Sequence, residues 1–222
     1  MRPDAGVTMT RRACGDFRAS AGARENVGPP DPWLERRAGI AALLALPLLA
    51  WADTEAAVEH ALRAGGVVIA FRHARAPGTF DPPGFRLGDC STQRNLDDEG
   101  RGQARRIGQW LRSRGLRPRE VLTSPWCRCI DTAALAFGGA RVEPDLGSPW
   151  GDGVAAGHAA AAVRRLSLAV AEAAARPGQF DAWVTHMFVL SDLTGENSAS
   201  GEGLVLRAEG GAVRVLARLA VT

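Results

Sequence analysis

The chain has 222 residues, 27 of them basic and 24 acidic, and every basic residue is an arginine. That length suits one ordinary domain of ~100–200 residues with an end to spare. From Asp53 onward 20 arginines face 19 acidic residues, a balance that gives no support to the basic patch expected of a nucleic-acid binder.

Residues 1–35 are rich in Gly, Pro, Arg and Asp and are expected to be unstructured. Arg36 and Arg37 then precede an apolar run from Ala38 to Leu49, closed by Ala50-Trp51-Ala52. A basic start, an apolar middle and small residues at the two key positions form the pattern of a secretory signal. Residues 36–52 are therefore expected to be a signal peptide cleaved after Ala52, with a buried helix or uncleaved anchor as the alternative. The run is too short for a membrane span of ~20 residues. A signal so far from Met1 points to a translation start nearer Val27 or Leu34, which would make residues 1–35 a mis-assigned extension.

Residues 53–222 read as one domain. Asp53 to Gly66 carries capping residues at its start and two glycines at its end, as a helix does. Val67 to Phe71 is a continuous apolar run suited to a strand buried on both faces. It runs into Arg72 and His73, charged or polar groups that are rarely buried unpaired. Ala74 to Leu96 is a long loop, a class that is usually functional or disordered. From Asp97 to Arg114, Ala104, Ile107 and Leu111 recur at helical spacing. Glu120 to Ser124 is a second strand, Pro125 a helix start, and Ala140 to Pro144 a candidate short strand. The alanine-rich stretch from Gly157 is a helix stopped by Pro177 and Gly178. Asp181 to His186 is a strand. Leu204 to Leu219 is a hairpin turning at Glu209-Gly210-Gly211. Alternating strands and helices predict a three-layer α/β/α sandwich around a mostly parallel sheet.

In such sheets the sites lie beyond the carboxyl ends of the strands. If the three strands are parallel neighbours, their ends bring together Arg72 and His73, Ser124 with Arg128 one turn into the next helix, and His186. The start of the helix after Pro125 adds oriented N–H groups. Arginine forks fit phosphate oxygens, and a histidine nitrogen whose tautomer is fixed can attack phosphorus. The bland alternative is a strand whose tip simply reaches solvent.

These residues carry a resemblance. "FRHA" resembles the R-H-G signature of the histidine phosphatase superfamily, which has the phosphoglycerate mutase-like fold. "LDDEGRGQA", "SPWCRCIDTA" and "VTH" resemble three further motifs of that family, in the same order. The resemblance implies that His73 is the nucleophile that becomes phosphorylated. It implies that Arg72 and Arg128 clamp the phosphate, that His186 donates to the transferring oxygens, and that neither metal nor cofactor is needed. Arg94 is a candidate phosphate or substrate contact because its loop leads into the pocket. The implied partner is a small phosphomonoester, with an envelope sugar phosphate as a guess by analogy to exported relatives.

Three departures stand out. Ala74 and Met187 replace glycines that follow the two histidines. Ser148 stands where many relatives place the glutamate that protonates the leaving group, a role worth roughly 10²–10⁴-fold. Asp152 and Glu202, both flanked by glycine, are the first substitutes, with Asp145 and Glu143 behind them. The alternative reading is a phosphate- or phosphosugar-binding protein with little turnover.

Export also permits a disulfide. Cys90, in the long loop, is expected to pair with Cys127 or Cys129, the neighbours of Arg128. A Cys127–Cys129 bridge, or three reduced cysteines, are the alternatives. N-terminal sequencing of the exported protein is expected to begin at Asp53; recovering any earlier residue would place the cleavage elsewhere.

Overall fold

The computed structural model describes residues 54–148 and 156–221. The expected extension, the signal segment, Asp53 and Asp152 lie outside the described residues. In chain order the elements are α1 (54–64), β1 (Val67–Arg72), α2 (Asp98–Ser113), β2 (Val121–Thr123), α3 (Cys127–Phe137), β3 (Arg141–Val142), α4 (Ala156–Ala174), β4 (Phe180–Thr185), α5 (Met187–Thr194), β5 (Gly203–Glu209) and β6 (Ala212–Leu219). Single 3-10 turns occupy Cys90–Thr92 and Pro144–Leu146.

The sheet order is β3-β2-β4-β1-β5-β6. The first four strands are parallel, and β5 and β6 add an antiparallel edge. β1 lies inside this sheet, and its apolar run is buried on both faces. Val67, Ile69 and Phe71 pack with Val58 and Leu62 of α1 and Ile107 and Trp110 of α2. Val68 and Ala70 pack on the other face with Leu166 and Val170 of α4 and Leu190 of α5. Side chains alternate along a strand, so one unbroken apolar stretch serves two cores. The result is the three-layer α/β/α sandwich expected from the alternation of elements. Among the described residues no helix is long and apolar enough to cross a membrane.

Local chemistry sets the helix ends near the site. Asp97 caps α2, its Oδ1 accepting from the Gly100 N–H at 2.8 Å, and Asp98 and Glu99 add negative charge to the first turn. Gly100 is required for close approach, because a Cβ there would overlap the Arg75 carbonyl. α2 is thereby pressed against the chain just after His73. Gln103 completes the attachment, accepting from the Arg75 N–H at 3.0 Å and donating to the Ser200 carbonyl at 2.7 Å.

Two expectations shift. The helix after β2 begins at Cys127 with Trp126 as its cap, so Pro125 precedes the cap instead of occupying the first helical position. Its early amides are also taken: Cys127 N–H donates to Gln93 Oε1 at 3.0 Å and Trp126 N–H to Ser124 Oγ at 3.3 Å. α5 has no counterpart in the sequence reading. Its eight residues show too few turns for a clear period, and it is defined by burial of Val189, Leu190 and Leu193 and by left-handed Gly195 at its end.

The long loop is tied down. Cys90 is bonded to Cys127, with Cα atoms 5.7 Å apart, while Cys129 remains a buried thiol. Phe85 stacks on Trp126 at 5.5 Å between ring centroids. Asn95 donates to the Cys90 carbonyl at 2.7 Å. The bridge spans a sequence separation of 37, for which the chain-entropy relation gives about 3–4 kcal/mol. The Cys90→Ser variant is expected to melt roughly 6–15 °C lower than the oxidised protein. An unchanged melting temperature would mean that the bridge does not form in solution.

Candidate active site

The parallel register of β1 and β4 sets Arg72 opposite Thr185. His73 N–H donates to the Thr185 carbonyl at 2.9 Å, so the chain leaves the sheet at His73 and at His186 side by side. The two imidazoles lie 5.5 Å apart between centroids. Both are buried.

Hydrogen bonds fix the tautomer of each ring. His73 Nδ1 is 2.8 Å from the Ala74 carbonyl, which can only accept, so Nδ1 carries the proton. Nε2 is left with its lone pair, and Arg128 Nε donates to it at 3.2 Å. For His186, Arg128 approaches Nδ1 at 3.4 Å as a donor, so Nε2 carries the proton and gives it to Ser124 Oγ at 2.7 Å. Burial, and then the Arg128 charge, push the pKa of His73 down to about 3. The same two causes hold His186 well below the ordinary histidine range. Both rings are neutral at neutral pH, and His73 presents a free nitrogen.

Arg128 stands at the centre. It is buried in the first turn of α3, where its carbonyl accepts from Thr132 Oγ1 at 2.7 Å. Thr132 also takes the Ala74 N–H at 3.0 Å, joining the loop after His73 to the helix. Arg128 NH1 meets both oxygens of Asp81, at 2.9 and 3.1 Å. Arg72 reaches the same cavity and donates through NH1 to the Ser198 carbonyl at 2.8 Å and to the Met187 sulfur at 3.6 Å. Arg94 lines it too, donating to the carbonyls of Ala76 and Gly78. Among the described residues, Arg72 Nε and Arg94 Nε are buried donors without an acceptor. Burial and the neighbouring Arg128 charge lower the pKa of both. Three guanidinium groups thus crowd a cavity of ≈ 190 Å³ whose lining includes one carboxylate, Asp81. Such a site favours a compact anion.

His73, Arg72, Arg128, His186 and Arg94 therefore line one cavity, as Met187 and Ser148 do. His186 differs from expectation in one respect: its N–H serves Ser124, and it presents a lone pair toward Arg128. Among the described residues the proton-donor candidates do not gather there. Glu202 is held elsewhere, its carboxylate accepting from Ala199 N–H at 2.8 Å and pairing with Arg218 at 3.0 Å. Asp145 pairs with Arg165, and Glu143 with Arg141. Asp152 lies outside the described residues. Ala74 tolerates the glycine position because its side chain packs with Ala76, Leu96 and Ala104.

Sequence reasoning passed over Asp81, Ser124 as the partner of His186, and Gln93 as the cap of α3. Asp81 did carry a signal: it is a carboxylate held between Gly78 and Pro82-Pro83, eight residues past the histidine. Among the described residues no group of three or more His, Cys, Asp or Glu is arranged to hold a metal ion.

Comparison with known proteins bears on the family and the fold. Residues 71–152 match the model of the histidine phosphatase superfamily (branch 1). A solved protein of Escherichia coli K-12, assigned as an alpha-ribazole-5'-P phosphatase, superposes with a TM-score of 0.51 at 18% identity, over 70% of this chain and 98% of that one. A phosphoserine phosphatase variant from Entamoeba histolytica, solved with phosphoserine, gives a TM-score of 0.51 at 11% identity over 70% and 98%. At these identities the likeness concerns the fold. No curated protein matches the chain. The matched segment begins at Phe71 near the end of β1 and includes Arg72, His73, Arg94 and Arg128, so over residues 71–152 the chain is similar to the histidine phosphatase superfamily (branch 1), and its fold is shared with solved phosphatases.

Proposed function

We propose that this protein is an exported phosphomonoester hydrolase that works through a phosphohistidine on His73. The observation that carries the reading is the state of His73: a neutral imidazole with Nδ1 tied to the Ala74 carbonyl and Nε2 directed at the guanidinium cluster. A neutral nitrogen can attack phosphorus without first losing a proton. Arg128, Arg72 and Arg94 supply fixed positive charge where the oxygens of the transferring group gather charge. His73 Nε2 forms a bond to phosphorus as the ester P–O bond breaks. Water then attacks the phosphohistidine, and the P–N electron pair returns to Nε2. The Ala74 carbonyl stabilises the ring while it carries the phosphoryl group, since the Nδ1–H bond strengthens as the ring becomes cationic.

Export rests on the pattern of residues 36–52 and places the enzyme in the periplasm or outside the cell. An oxidising compartment fits the Cys90–Cys127 bridge. A phosphate compound of the envelope, such as a sugar phosphate, is the substrate class that this location favours. Ser148 in the place of the usual glutamate supports the second reading, a phosphate-binding protein without turnover.

The mature protein, incubated with p-nitrophenyl phosphate and a panel of sugar phosphates, separates the two. Phosphate release that vanishes in His73→Ala supports the enzyme, and tight binding without release supports the binder. Rapid quench is expected to trap acid-labile phosphate on His73, and a label on His186 would overturn the assignment. Arg128→Lys keeps the charge but loses the fork that spans His73, Asp81 and His186. At least ~10-fold loss of kcat/KM is expected, about 1.4 kcal/mol, and near-normal kinetics would put Arg128 outside the reaction.

A further inference from the structure

Among the described residues the candidates read from the sequence leave the leaving group without an acid, because Ser148 occupies the expected position and Glu202 is held by Arg218. We propose that Asp81, on the loop that follows the nucleophile, is the proton donor, a role that rests on the phosphohistidine mechanism above.

Four observations carry the assignment. Among the described residues lining the cavity Asp81 is the one carboxylate. Its oxygens and His73 Nε2 sit on the same guanidinium: Arg128 NH1 takes the carboxylate while Arg128 Nε takes the nucleophile. A phosphoryl group attached to His73 and held by Arg128 therefore lies against Asp81. The carboxylate is also anchored independently of Arg128. Oδ1 accepts from the Arg94 N–H at 3.0 Å and Oδ2 from Trp126 Nε1 at 3.2 Å. When phosphate oxygens take over the fork of Arg128, those two bonds keep Asp81 at the site. Finally, the segment bearing Asp81 is open to a substrate, since the neighbouring Phe80 is 70% exposed.

The proton count closes. A monoanionic phosphomonoester passes its proton to the Asp81 carboxylate as the dianion settles on the arginines. His73 Nε2 attacks phosphorus, the P–O bond to the alcohol breaks, and the departing oxygen takes the proton from Asp81. The product alcohol leaves. Asp81, again a carboxylate, then takes a proton from the attacking water as its oxygen bonds to phosphorus and the P–N bond breaks. Asp81 ends protonated and returns the proton to the departing phosphate.

The experiment compares substrates that differ in their need for an acid. p-Nitrophenyl phosphate releases a stable phenolate, whereas glycerol 1-phosphate must release an alkoxide. In the mature protein, Asp81→Asn is expected to lower kcat on glycerol 1-phosphate at least ~100-fold and on p-nitrophenyl phosphate less than ~10-fold, with phosphohistidine still trapped from the aryl ester. Equal losses on both substrates would overturn the role. So would a selective loss in Asp152→Asn with none in Asp81→Asn. A measurement on the unmodified protein guards against a variant that fails to fold. Across a series of aryl and alkyl phosphates, kcat is expected to depend weakly on the leaving group, and a steep dependence would mean that no acid assists. Binding of inorganic phosphate without turnover of either ester would overturn the phosphatase reading itself. Turnover of both, with equal losses in Asp81→Asn, would overturn only the acid.

Discussion

β1 and β4 lie side by side with Arg72 opposite Thr185, and the hydrogen bond from His73 N–H to the Thr185 carbonyl closes that register just past the last strand residue. Everything at the site follows from it. A slip of one residue would turn each side chain to the opposite face of the sheet. It would send Phe71 out of one core and Ala70 out of the other. The apolar run of β1 and the buried Ala182, Trp183 and Val184 of β4 therefore act at a distance from the chemistry, since burial on two faces is what makes the register unique.

The cost of the site is the gathering of like charge. Arg72, Arg94 and Arg128 share one cavity, and burial and mutual repulsion disfavour the charged form of Arg72 and Arg94. Asp81 offsets part of this, in a pair with Arg128 whose side chains are 14% and 5% exposed. A buried pair of this kind gains much of its strength from the low dielectric around it, yet it must also repay desolvation of both ions. A phosphate, carrying more charge and more acceptor oxygens than a carboxylate, fits the same donors better. The positive charge gathered in this cavity is thus a preference for an anion, built from the same contacts that would stabilise charge on a phosphoryl group in flight.

The loop after His73 holds this arrangement together by fastening to α3. The Cys90–Cys127 bond, the Gln93 side chain at the Cys127 amide and the stacking of Phe85 on Trp126 all act next to Arg128. On the other side Gly100 and Gln103 secure the chain at Arg75. A loop of this length would ordinarily be mobile. Here its covalent and polar ties converge on the one helix turn that carries the clamp, so positioning of the clamp and ordering of the loop are a single event.

The sequence by itself determined the layers and the order of the sheet-forming segments, because two-sided burial demands unbroken apolar strands and one-sided burial demands helical spacing. It also put Arg72, His73, Arg128 and His186 at or just past the carboxyl ends of strands, while the order β2-β4-β1 that makes those ends neighbours came from the tertiary structure. It could not pair Cys90 with Cys127 rather than Cys129; that choice depends on which side of α3's first turn faces the loop. It could not show that Glu202 is consumed by Arg218 or that Asp81 reaches Arg128, since both depend on where a loop comes to rest over a distance no local pattern encodes. The protonated nitrogen of each histidine was likewise a matter of tertiary structure alone. A carbonyl beside one ring and a serine beside the other made that choice.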